Sequence, residues 1–383
     1  MARCFFILLS MLTLFPFTSG FAQEQASDCI VTDSNIANQS ESELTKFDVA
    51  EFGTPITSNN LDQLASVVEI TCDWPLDLAW SPNSSYLAIS TTEGIWTFNV
   101  SNHGSPPRDF PSIAVNPWDG IGSMTFSADS TTLATVNPPD GDLHFWSLID
   151  DEHTIVDIQT QDYTGASAIS PDFSIWAIAH NNGDISIWDV QNGKQVALLQ
   201  GHHRRVGALA FSPDSSRLVS AGGRVGSASI NPRDTTLRVW DTTSGDLLKM
   251  FELSGLVNMS IDPAQKITFS SDGTTALFTV MSDNGSSPIG FLDINRMIYR
   301  TISLEDHDYI KGVVFNPDRS LLAVGARSRG TVFLQGREFT PLMTLPFDKM
   351  VLSMAFSPDG ALLAIAHELQ FPVQGQVEIW SVP

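Results

Sequence analysis

Basic residues are scarce in this chain of 383 residues: 20 Lys and Arg stand against 43 Asp and Glu, giving a net charge of −23. A surface of that sign repels nucleic acid and anionic lipid at long range, so polyanion-binding functions are disfavoured. Charged residues of either sign are only 16%, while hydrophobic residues reach 42%. That composition excludes a disordered or coiled-coil chain and suits a turn-rich β protein whose surface is mostly Ser, Thr, Asn and Gly. Cysteine is nearly absent, with only Cys4, Cys29 and Cys72. No Cys/His cluster has the spacing of a metal site, and no glycine loop stands between a strand and a helix to cradle phosphate. Gly222, Gly223 and Gly226 lack that context, and Asp140, Asp142 and the acids at 150–152 read as solvated turns.

Long apolar runs are missing too, except at the start. Arg3 is followed by an almost wholly apolar stretch at 4–17 and then by Gly20-Phe21-Ala22, with small residues at the −3 and −1 positions of a cleavage site. The run is too short to span a bilayer, so 1–22 is expected to be a secretory signal and the mature chain to be secreted or periplasmic, without a membrane span. Loss of Arg3 moves the net charge to −24. Cys4 leaves with the signal. Cys29 and Cys72 are then either a disulfide or two free thiols. If paired they close a loop of 44 residues, worth about 3–4 kcal/mol in the chain-entropy model. Residues 23–60 are polar and acidic without a sustained period, and are expected to be a loose arm or linker.

From residue 61 onward the chain repeats. Its turns are Trp80-Ser-Pro-Asn83, Phe126-Ser-Ala-Asp129, Ile169-Ser-Pro-Asp172, Phe211-Ser-Pro-Asp214, Phe269-Ser-Ser-Asp272, Phe315-Asn-Pro-Asp318 and Phe356-Ser-Pro-Asp359. Successive offsets are 46, 43, 42, 58, 46 and 41 residues. Ser or Asn followed by Pro and then Asp favours a type I turn between antiparallel strands, with Pro presetting φ. Downstream of each turn a third strand ends in a large residue: Phe98, Trp146, Trp188, Trp240, Leu292, Leu334 and Trp380. A fourth stretch follows, such as 195–199 or 247–251. The fifth unit has two possible registers, one on Phe269 and one with 256–263 as its inner strand. The Phe269 register sets the third strand, IGFLDI, at a normal distance.

The clearest unit, at 201–241, runs GHHRRVGALAFSPDSSRLVSAGG, an irregular insert, then RDTTLRVWD. It resembles a WD-repeat β-propeller blade, and the other six units resemble degenerate copies. The resemblance covers 61–383 and implies an all-β, single seven-bladed propeller of four-stranded antiparallel blades. Only Ser-Val-Pro follows Trp380, so the last blade lacks a fourth strand and would leave an open edge. The stretch LDQLASVVEIT at 61–71 has the character of the missing strand. Residues 64–70 are expected to pair with 377–380 and close the ring. Tol-type periplasmic propellers share the Ser-Pro-Asp turn, but the Trp-Asp third strands and seven units favour the WD-repeat reading.

In that family a buried hydrogen-bond chain joins the His of Gly-His, a Ser of the second strand, an Asp before the third strand and the Trp. The matching residues here are His202, Ser220, Asp234 and Trp240, and the resemblance implies a structural lock despite their likeness to a Ser-His-Asp triad. No other unit has the full set, so the other blades are expected to hold by apolar packing. Residues one and three before each turn's large residue should line the channel. They are nearly all small and supply one carboxylate, Asp77, and no histidine, which disfavours a metal-dependent propeller enzyme. A hydrolase would have to use loop residues such as His202, His203, His103 or His367. The remaining anomaly is charge: residues 194–249 carry +4 while the rest of the mature chain totals −28. Arg204, Arg205, Arg224 and Arg233 fall in loops expected to open on one face, a candidate patch for an acidic partner or another copy of the chain. The signal segment and the resemblance together imply an exported, monomeric, non-enzymatic protein-binding scaffold without a cofactor.

Overall fold

In a computed structural model the described residues are 30–33, 53–100, 108–110, 123–136, 142–150, 152–157, 163–222, 234–253, 266–279, 287–304, 310–326, 330–335, 339–345, 349–370 and 374–382. They form seven antiparallel sheets arranged as a propeller, with one short 3-10 turn, Leu61–Gln63, and no α-helix among them. Six sheets have four strands taken in chain order from the inner to the outer edge. Blade four shows the pattern: Val206–Phe211, Arg217–Gly222, Thr236–Asp241 and Leu247–Glu252.

Blade seven closes the ring. Its own strands are Val351–Phe356, Leu362–Gln370 and Gln374–Ser381, and its fourth comes from the other end of the chain, Ala65–Asp73. The register pairs Ser66 with Trp380 and Ile70 with Val377, as the unfilled edge after Trp380 requires. Val68 and Ile70 are 4% and 1% exposed, in the apolar seam that joins blades seven and one. A fifth strand, Ile30–Asp33, pairs outside Ala65–Asp73. Residues expected as a loose arm therefore engage the propeller, and Ile56, fully buried, donates its amide to the Gly360 carbonyl. The signal segment 1–22 and Cys29 lie outside the described residues. Among the described residues Cys72 is a buried thiol without a disulfide partner.

Blade five takes the Phe269 register, with Ile267–Phe269 as its inner strand paired to Thr275–Thr279. Residues 254–265 lie outside the described ones. All seven large residues at the ends of third strands occupy third strands, and Phe98, Trp146, Trp240, Leu292 and Leu334 are buried there.

The repeated turn owes its persistence to more than proline. In blade four Ser212 Oγ donates to Asp214, whose Oδ1 accepts the Ser216 amide at 3.1 Å, while Ser212 Oγ accepts the Arg217 amide at 3.0 Å. The same scheme recurs at Ser127 with Asp129, Ser170 with Asp172, Ser270 with Asp272 and Ser357 with Asp359. Every turn then passes through a left-handed residue three places after its Ser or Asn: Ser84, Ser130, Phe173, Ser215, Gly273, Arg319 and Gly360. Five of these are not glycine and hold φ between 58° and 61° against a local cost, which the side-chain cap offsets.

A candidate partner-binding loop on blade four

The blade-four lock is assembled in full. His202 Nδ1 lies 3.0 Å from Asp234 Oδ2, and His202 Nε2 lies 2.8 Å from Ser220 Oγ. Trp240 Nε1 donates to the same Ser220 oxygen at 2.8 Å. The carboxylate fixes the tautomer: Nδ1–H donates to Asp234, leaving Nε2 to accept the Ser220 hydroxyl. Asp234 also accepts the backbone amides of His203 at 2.8 Å and Thr236 at 3.0 Å, and the Thr236 hydroxyl. Burial lowers the His202 pKa, and its bond to Asp234 offsets only part of that. Burial opposes ionisation of Asp234, but the hydrogen bonds from His202, Thr236 and the His203 amide outweigh it and hold the carboxyl well below its usual range. The site therefore pairs a neutral imidazole with a carboxylate.

Two glycines make this geometry possible. A Cβ on Gly222 would sit 2.4 Å from the Asp234 carbonyl oxygen and 2.7 Å from its carboxylate. A Cβ on Gly201, at φ 154°, would meet the Arg238 guanidinium at 2.1 Å. The Gly-His pair thus lets the loop descend onto Asp234 while His202 turns inward.

The four residues look like a nucleophilic triad only in outline. Ser220 is fully buried, and its oxygen serves both Trp240 and His202. His203, adjacent to the lock, is exposed. His367 is buried on blade seven and bonds Glu378 at 2.9 Å. His103 lies outside the described residues. Of the described candidate histidines, His202 alone bonds Ser220, inside the buried lock, while the exposed His203 ring and His367 on blade seven take no part in that bond.

Other blades carry more polar bonding than their sequences suggest. In blade two Trp146 Nε1 donates to Thr135 Oγ1 at 3.0 Å. Blade three rebuilds the chain from different positions: His180 Nε2 lies 2.7 Å from Ser186 Oγ, which also accepts Trp188 Nε1 at 2.8 Å. Ser186 sits two residues before Trp188 on the same strand, so strand alternation puts both side chains on one face. The expectation that these blades rely on apolar packing alone is corrected to that extent.

In the channel, Asp77 of blade one is 7% exposed. It forms an ion pair with Lys266, three residues before Phe269 of blade five, and accepts the Ser353 hydroxyl of blade seven at 3.2 Å. The neighbouring cavity, lined by Lys266, Thr268, Lys311, Gly312 and Ser353, holds about 30 Å³, room for one or two waters. Among the described residues no three His, Cys, Asp or Glu converge as metal ligands.

The basic excess of blade four divides. Arg238 is 3% exposed beneath Gly201, and Arg217 bonds Asp241 at 2.8 Å on the opposite side of the blade from the Gly-His loop. Arg204 and Arg205 are half-buried on the loop between Leu199 and Val206. That loop rests on the turn of blade three: a Cβ on Gly183 would meet the carbonyl oxygens of His202 and Arg204. Arg224 and Arg233 lie outside the described residues.

Seven four-stranded blades sealed by an N-terminal strand, with one blade locked through His, Ser, Asp and Trp, define a seven-bladed β-propeller of the repeat-built kind. The WD40 family (WD domain, G-beta repeat) matches residues 193–241. That span opens in the turn before blade three's outermost strand and ends at Asp241, so the sequence repeat straddles two blades. The chain is a seven-bladed propeller that is similar to WD-repeat proteins over this stretch. It is 28% identical over 174 residues to an uncharacterized WD repeat-containing protein of Synechocystis sp., covering 43% of this chain and 43% of that protein. It is 26% identical over 202 residues to WD repeat-containing protein 36 of Homo sapiens, covering 52% and 19%. It is also 33% identical over 92 residues to Protein groucho of Drosophila melanogaster, covering 24% and 11%. The matches thus span less than half the length of each of these relatives. WD-repeat propellers are generally non-catalytic scaffolds for protein–protein contacts.

Proposed function

We propose that this protein is an exported, monomeric WD-repeat scaffold that docks an acidic protein segment on the Gly-His loop face of blade four. The observation that carries the reading is the mounting of Arg204 and Arg205. They follow directly on the two residues, His202 and His203, whose side chain and amide are fastened to Asp234, so their loop is held rigidly. Rigid mounting lowers the entropy lost on binding. Arg224 and Arg233 belong to the same proposed patch through the insert between the second and third strands. No described helix is long and apolar enough to cross a membrane. The signal sequence supports an extracytoplasmic setting, where cleavage after Ala22 would leave Gln23 as the first residue.

The test is affinity capture from the extracytoplasmic fraction with the native chain and with Arg204, Arg205, Arg224 and Arg233 reversed to Glu. Reversal should weaken capture of the partner at least about tenfold and steepen its loss with salt in the native protein relative to the variant. Equal capture by the folded variant would overturn the assignment of this face.

A further inference from the structure

We infer that the central channel binds one small monovalent anion, of the size of chloride, between Lys266 of blade five and Lys311 of blade six. The inference starts from the cavity of about 30 Å³ beside the ion pair of Asp77 and Lys266. Both lysines line it, and none of its lining residues among those described is acidic. That inverts the balance of a chain with 43 acids against 20 bases. The site is separate from the docking face proposed above and depends neither on that reading nor on export.

The fold brings the two lysines there by different routes. Blades one, six and seven each carry a bulge near the start of the inner strand, between Pro75 and Asp77, Ile310 and Gly312, and Val351 and Ser353. The extra residue of a bulge is left out of the ladder and re-aimed. Here those residues are Leu76, Lys311 and Leu352, and all three line the cavity. In blade five the pairing of Ile267 with Phe278 sets Lys266 and Thr279 on the next rung, and both line the cavity as well.

Thr279 supplies the second observation that points to a ligand. It is 4% exposed, and its Oγ1 is buried without a hydrogen-bond partner. A buried hydroxyl left unsatisfied is costly, and an anion in the cavity would accept its hydrogen bond. The Lys266 ammonium has three donors and directs one at Asp77, which leaves two. Asp77 is occupied by Lys266, the Ser353 hydroxyl and the Leu78 amide. Leu76, Leu352 and Met354 complete the wall with apolar surface, where bonds from an ammonium to an anion are strengthened. A halide accepts from several donors at once and carries the charge that two lysines favour, whereas a metal cation is repelled. The space suits a monatomic ion and is too small for a nucleotide.

The test titrates the folded full chain with sodium chloride, ionic strength being held by sodium gluconate, and reads exchange of bound and free ion from the chloride NMR linewidth. The expected result is a saturable broadening whose apparent affinity falls about tenfold or more in Lys311→Met and in Thr279→Val, since each removes one donor to the ion. No saturable broadening in the native chain, or equal broadening in both variants, would overturn the site. Crystals soaked in sodium bromide give the position: an anomalous peak between Lys266 and Lys311 supports it, and a cavity without one overturns it even where a variant fails to fold. Thr279→Val carries a further readout. In halide-free gluconate its urea midpoint should equal or exceed that of the native chain, because the hydroxyl it removes has no partner in the fold. A lower midpoint there would show that Oγ1 serves the fold and would overturn its role as a donor to the ion.

Discussion

Asp234→Ala is the sharpest perturbation of blade four, because one carboxylate serves several donors. Its removal strands the buried His202 Nδ1–H and deprives the amides of His203 and Thr236 of their acceptor. The Thr236 hydroxyl can turn to another partner. A buried donor left without a partner costs about 1–3 kcal/mol, and amides near water cost less, so about 3–4 kcal/mol is expected in total. An unfolding entropy near 2 cal/mol/K per residue makes that a fall in Tm of about 5 °C for a propeller of this size. Ser220→Ala strands Trp240 Nε1 and the His202 Nε2 acceptor and should cost about 2 kcal/mol. Both changes act through His202, so the double variant should fall short of the sum by about 1 kcal/mol. Urea titrations of the four proteins at one pH provide the measurement. A penalty for Asp234→Ala below about 0.5 kcal/mol would refute the structural reading of this constellation.

Acid should act on the same group. His202 holds its pKa below the ordinary 6.5, so the unfolded chain binds more protons as pH drops and stability should begin to fall below pH 6.5. Asp234, whose pKa is depressed from 3.8, adds a second loss as pH falls below that value. Urea midpoints measured across pH 3–7 should show both losses in the native chain, and Asp234→Ala should show a smaller lower one, since capped turn carboxylates such as Asp214 and Asp272 are also depressed and still contribute. For the ring closure, Ile70→Asp puts a charge into a seam where Ile70 is 1% exposed and should leave no soluble folded propeller by gel filtration and circular dichroism. Deletion of 34–52 should leave the ring intact in the same assays. Across the channel, Lys266→Met leaves the Asp77 carboxylate without its cation. Since Lys266 is half-exposed, the cost should be held to about 2 kcal/mol, and a double variant with Asp77→Leu should recover part of it in the same denaturation assay.

The architecture was legible because the turns that build it have strong local chemistry. Ser-Pro-Asp reads at any burial, and the large residue ending each third strand marks the same rung in every blade. Closure was legible from one missing strand and one apolar stretch of matching character. What escaped depends on cross-strand register. The bonding of His180, Ser186 and Trp188 uses positions other than the family's, although a serine two residues before a strand tryptophan is a readable signal. The basic cluster looked denser in sequence than it is on the surface, because Arg238 turns beneath Gly201 and Arg217 crosses to Asp241. Asp77 and Lys266 occupy matching positions in blades one and five, but only the closed ring shows that they meet. The strand Ile30–Asp33 is too short to announce itself within a polar arm.

The repeated turns have a second role that explains why degenerate blades keep them. All join the inner strand to its neighbour, so they lie on one side of the ring, and several touch the turn of the next blade. Ser130 Oγ accepts the Asn83 amide at 3.1 Å, and Ser84 Oγ accepts the Asp359 amide at 3.2 Å, linking blades two, one and seven. Gly360 sits against Pro317, Arg319 reaches Asp272, Thr274 and Thr275, and Gly273 sits against Pro213, linking blades seven, six, five and four. The proline and the left-handed residue are therefore contact points between blades as well as local turn formers. A blade can lose its histidine, its tryptophan or its Trp-Asp end and still be held if its inner strand and this turn persist. Among the described residues the fully bonded lock stands in blade four, whose second and third strands, Arg217–Gly222 and Thr236–Asp241, are separated by a long insert. There Asp234 stands at the end of that insert, and its bonds to His202 and His203 fasten the returning chain. The same four residues that most resemble a catalytic site are thus the ones a propeller needs where a blade has been opened to accept extra chain.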